Sequence, residues 1–88
     1  MWEKKFSKKN ITADKLLDFA KQRCLICTLD SSLKSLGDNR HFHFKKAKEK
    51  GVLEVTLMYD EIILNIHQNR NAEWILAEVL VWRKTLLV

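Results

Sequence analysis

The chain has no proline and only two glycines, Gly37 and Gly51. That excludes collagen-like, mucin-like and Pro-rich linker readings, and it leaves no Gly-rich loop to cradle a phosphate. No apolar run reaches the ~18 residues of a membrane span, so no membrane contact is expected. The opening Met1-Trp2-Glu3-Lys4-Lys5 has no apolar stretch behind its charges and does not read as a signal peptide. Cys24 and Cys27 are too few for a disulfide framework, and a reduced, cytoplasmic chain is expected. No G-x-S-x-G turn surrounds Ser31, Ser32 or Ser35. A non-catalytic protein without a cofactor is the reading.

What is present is enough to fold. Of 88 residues, 47% are apolar and 31% charged, which sets the chain apart from disordered ones. The length suits one domain, residues 1–88, with residues 1–10 expected as a flexible basic arm. Thr12 has the features of an N-cap, with Asp14 in the first turn, and Leu16, Leu17, Phe19 and Ala20 give the helix an apolar face. Cys24–Leu29 reads either as more helix or as a short strand. Asp30–Leu36 reads as a loop or one helical turn.

Three strands follow, at His41–Lys46, Val52–Met58 and Ile62–His67. A two-residue loop at Lys50-Gly51 pairs Phe44 with Leu57. Another at Asp60-Glu61 pairs Leu57 with Leu64 and Glu54 with His67. Both loops turn Phe42, Phe44, Leu53, Val55, Leu57, Ile62, Leu64 and Ile66 to one face. His41, His43, Lys45, Glu54, Thr56, Met58, Ile63, Asn65 and His67 take the other. The last element is a helix beginning near Asn71, with Ile75, Leu76, Val79, Leu80 and Trp82 expected inward and Trp74, Ala77 and Val81 outward. The fold class is therefore α+β, in the order α-β-β-β-α: a three-stranded antiparallel meander covered on one face by two helices, with an extra strand possible near Cys24–Leu29. That order is similar to double-stranded-RNA-binding domains. Those carry a lysine cluster at the start of the last helix, where this chain has Arg70-Asn71-Ala72-Glu73, so their function is not carried over.

Several constellations suggest chemistry but also have plainer roles. Cys24-x-x-Cys27 with His41-x-His43 has the knuckle spacing for its cysteines but not for its histidines, and buried thiols acting as small hydrophobes are the plainer reading. His41, His43 and His67 share a face, but the register holds His67 ~13 Å along the strand from His43, beyond one ion. His41 and His43 alone make a two-ligand set, so no metal is expected. Phe42 and Phe44 would stack bases only if they faced solvent.

Two functions remain. The first is an interaction module, a homodimer or a protein's docking domain, using Trp74, Val81, Met58 and Ile63 as exposed apolar contacts. The alternative is a nucleic-acid-binding domain. Net charge is +5, and the excess sits in Lys4, Lys5, Lys8 and Lys9 of the arm and in Arg40, Lys45, Lys46, Lys48 and Lys50 of the hairpin. RNA or DNA would be its partner.

Overall fold

A computed structural model describes residues 2–7, 11–33, 39–58, 61–66 and 73–86. The elements are β1 (Trp2–Ser7), α1 (Ala13–Gln22), β2 (Leu25–Leu33), β3 (Asn39–Lys46), β4 (Leu53–Leu57), β5 (Glu61–Ile66) and α2 (Glu73–Thr85). The class is α+β. The three expected strands form an antiparallel meander at the centre of a five-stranded sheet ordered β1-β5-β4-β3-β2.

Both additional strands come from segments whose local pattern is ambiguous. Residues 2–7, expected within a loose arm, instead pair with β5 from Trp2 opposite Ile66 to Ser7 opposite Glu61. The exposed edge of β5 supplies the hydrogen-bonding partners that this charged segment cannot find locally. Thr12 caps α1 as expected, its hydroxyl accepting from the Lys15 N–H at 3.2 Å. The helix stops because Cys24 takes a left-handed φ of 62°, and Leu25 then starts β2. Asp30, expected to begin a loop or helical turn, lies inside β2, opposite Phe42.

The inward face holds as expected, while the register does not. Phe44 lies opposite Leu53 and Phe42 opposite Val55, a shift of four residues from the two-residue loop at Lys50-Gly51. The connection is longer, with a turn at Ala47–Lys48 and positive φ at Lys48 (66°) and Gly51 (96°). Leu57 lies opposite Ile62, a shift of two, and the Met58 N–H reaches the Glu61 carbonyl. Even shifts keep every side chain on its face, so alternation alone cannot distinguish them.

Both helices pack on the Phe42–Phe44 face. The core joins Leu16 and Ala20 of α1, Phe42, Phe44, Leu53, Val55, Ile62, Leu64 and Ile66 of the sheet, and Trp74, Ile75, Val79 and Trp82 of α2. Among the described residues no helix is long and apolar enough to cross a membrane.

The roll of α2 about its axis differs from the expected one by about a quarter turn at 100° per residue. Trp74, expected outside, is 9% exposed and its indole N–H donates to the Lys50 carbonyl at 2.6 Å. Leu76 and Leu80, expected inside, are 49% and 55% exposed. Trp82 is inward in either roll; the observed one also seats the Trp74 indole and gives its N–H an acceptor, while Leu76 and Leu80 turn to solvent.

Candidate interaction face and the open side of the sheet

The roll of α2 creates a surface that the periodicity of the sequence did not single out. Glu73, Leu76, Leu80 and Arg83 are all exposed and spaced three, four and three residues apart. At helical periodicity that spacing aligns them in one stripe, a glutamate at the first turn and an arginine at the last, with leucines between. Beside the stripe, Leu76, Val79, Leu80 and Arg83 meet Lys4 and Phe6 of β1 around an open cleft of about 360 Å³.

The four contact residues expected from sequence do not assemble. Trp74 lies in the core and Val81 is half-buried on α2. Ile63 lies opposite Thr56, and Met58 continues the same side of β4, on the sheet face away from both helices. Trp74 is thus unavailable as a contact, for the packing reason given above.

The basic residues also separate. Lys4 and Lys5 lie on edge strand β1, while Lys45, Lys46, Lys48 and Lys50 cluster at the β3–β4 end. Two intervening strands place β1 and β3 about 14 Å apart, before any offset along the strands. Arg40 is engaged elsewhere: its Nη2 donates to both carboxylate oxygens of Asp30 at 2.6 Å, and its guanidinium lies 5.3 Å from the Phe42 ring centroid. Lys8 and Lys9 lie outside the described residues.

On the open face, alternation along β3 projects His41 and His43 together, and β4 sets Glu54 opposite His43 and Thr56 opposite His41. Their polar atoms converge. His41 Nε2 is 3.1 Å from His43 Nε2 and 3.2 Å from Glu54 Oε1, and His43 Nε2 is 3.3 Å from that oxygen. His41 Nδ1 lies 2.9 Å from Thr56 Oγ1. The Glu54 side chain is 7% exposed and each imidazole 20%. Asn65, not His67, is the β5 residue opposite Glu54; His67 lies outside the described residues. The histidine pair is visible in the sequence, but the expected β3–β4 pairing is four residues away from the observed one and sets Glu54 apart from that pair.

The cysteines stay apart from this cluster. Cys27 pairs with Phe44 and so shares the inward side of the sheet, and its thiol donates to the Leu29 carbonyl at 3.2 Å. Although the residue is exposed, partial burial of its sulfur pushes the thiol pKa up. Iodoacetamide at pH 8 is therefore expected to alkylate Cys27 more slowly than free cysteine. Peptide mapping of the labelled chain against time measures this, and an equal or faster rate would contradict it.

Comparison of the chain with protein-family models, with curated proteins and with solved structures finds no match.

Proposed function

We propose that this protein is a non-catalytic interaction module that self-associates by docking α2 antiparallel against α2 of a second copy. The observation that supports this reading is the sequence of exposed residues along the stripe. A two-fold axis passing near position 78 sets Leu76 against Leu80 of the second copy. The same axis sets Glu73 against Arg83 of the second copy, and each contact occurs twice. The stripe is thus complementary to itself in both shape class and charge. Its orientation also agrees with the helix dipole, since the acidic end is N-terminal and the basic end C-terminal. The cleft beside Phe6 offers space for a leucine of the second copy.

Four half-exposed leucines and two ion pairs make a small contact, so the dimer belongs to the concentration-dependent, transient class. Sedimentation between roughly 10 µM and 1 mM brackets that range. The mass is expected to rise from 10.4 kDa towards twice that value, and Leu80→Glu is expected to hold it at 10.4 kDa. Charge exchange is the decisive arm. Glu73→Arg sets guanidinium against guanidinium, and Arg83→Glu sets carboxylate against carboxylate, so each is expected to weaken the dimer. The double exchange restores both pairs and is expected to restore association. A chain monomeric throughout the range, or single exchanges that weaken the dimer without rescue by the double, would overturn the reading.

A further inference from the structure

We infer that His41, His43 and Glu54 form a binding site for one divalent transition-metal ion of the zinc class on the open face of the sheet. This site is separate from the α2 stripe and does not depend on self-association.

The geometry is the first argument. The two imidazole nitrogens and the carboxylate oxygen form a nearly equilateral triangle with sides of 3.1, 3.2 and 3.3 Å. Tetrahedral zinc with bonds of about 2.0–2.2 Å separates its ligand atoms by about 3.3 Å. An ion seated roughly 0.9 Å above the triangle, on its solvent side, reaches all three at such distances with little side-chain movement. The fourth position then faces water.

The second argument is electrostatic. A carboxylate oxygen and two imidazole nitrogens repel one another through their lone pairs unless a proton or a cation lies among them. The sheet holds them together regardless, because backbone pairing fixes His43 opposite Glu54 and His41 opposite Thr56. A divalent ion replaces a shared proton with a stronger positive centre. Two neutral imidazoles and one carboxylate suit zinc and its neighbours in the first transition row, while magnesium and calcium prefer all-oxygen sets.

The surroundings supply the third argument. His41 Nδ1 lies 2.9 Å from Thr56 Oγ1; with its proton on Nδ1 the ring would donate to that oxygen and turn its Nε2 lone pair towards the cluster. Such an outer hydrogen bond is how metal-binding imidazoles are oriented. Across β5, opposite Glu54, Asn65 Oδ1 is a buried acceptor with no hydrogen-bond partner.

Calorimetric titration of the full chain with zinc chloride, in a non-chelating buffer near neutral pH, tests the inference. One ion per chain is expected. His43→Ala is expected to weaken binding by about 100-fold or more, and Glu54→Gln, which preserves side-chain shape, by at least about 10-fold. Thr56→Val leaves all three ligands in place and is expected to cost about 10-fold, with recovery in Thr56→Ser. Cys24→Ser/Cys27→Ser is expected to bind as the parent does. Cobalt in place of zinc should give the intense visible absorption of tetrahedral coordination, lost in Glu54→Gln. Far-UV circular dichroism identifies any variant that unfolds; if His43→Ala does, Glu54→Gln and Thr56→Val carry the test. Absence of saturable binding, folded ligand variants that bind like the parent, or loss confined to the cysteine variant would overturn the inference.

Discussion

Trp82→Ala is expected to remove about 3–5 kcal/mol of stability, the cost of truncating a large aromatic in a packed core. Trp82 is fully buried and is the largest side chain at the centre of the fold. Its ring meets Phe19 of α1 edge-on at 5.3 Å and Phe44 of β3 at 5.8 Å, and its indole N–H donates to Glu78 Oε1 at 3.3 Å. One side chain thereby ties both helices to the sheet. A domain of this size has roughly 4–13 kcal/mol to lose, so this one substitution takes a large share of its stability. Trp82→Phe keeps most of the ring contact and loses the N–H donor, and a smaller loss is expected. Urea unfolding at 25 °C followed by circular dichroism gives both values. A midpoint for Trp82→Ala equal to that of the parent would show that α2 does not pack through this residue.

Arg23→Leu is expected to be the second severe substitution, and it acts through another residue. Glu78 is buried on α2, and Arg23 at the end of α1 holds its carboxylate with two bonds, Nε to Oε1 at 2.7 Å and Nη2 to Oε2 at 3.3 Å. The hydrogen bond first, and the charge of Glu78 second, raise the Arg23 pKa above its ordinary value. The guanidinium therefore stays charged throughout the working pH range. Removing it leaves a carboxylate among apolar neighbours without its cation, which costs more than the pair contributed. The double substitution Arg23→Leu/Glu78→Gln removes the stranded charge and retains an oxygen acceptor for the Trp82 N–H. Its melting temperature is expected to lie well above that of Arg23→Leu alone. If the single variant melts with the parent, or the double melts below the single, the ion pair does not have this role.

Both sites show where local pattern stops being informative. The helix from Thr12 and the inward set of three central strands are legible because they depend on spacing along the chain. Glu78 reads as a surface residue of α2 until the fold brings Arg23 to it from 55 positions away. Leu76 and Leu80 read as core until Trp74 is seated on the sheet and the helix rolls them outward. The histidine pair is visible in the sequence, but its carboxylate partner depends on the β3–β4 register, whose connection includes positive φ at Lys48 and Gly51. The stripe Glu73, Leu76, Leu80 and Arg83 is a signal that was open to inspection, since its spacing of three, four and three is fixed in the primary structure.

Sequence alone determined the α+β class, the cap of the first helix and which side of the sheet Phe42 and Phe44 occupy. Those properties follow from the two short periods of polypeptide structure, which any single segment displays. Tertiary structure decided the β3–β4 pairing, the roll of α2 and the recruitment of residues 2–7 as an edge strand. Each of these is a choice between locally equivalent arrangements, settled by which one buries the larger side chains and satisfies their polar atoms. The proposed docking stripe and the proposed metal site both follow from those choices.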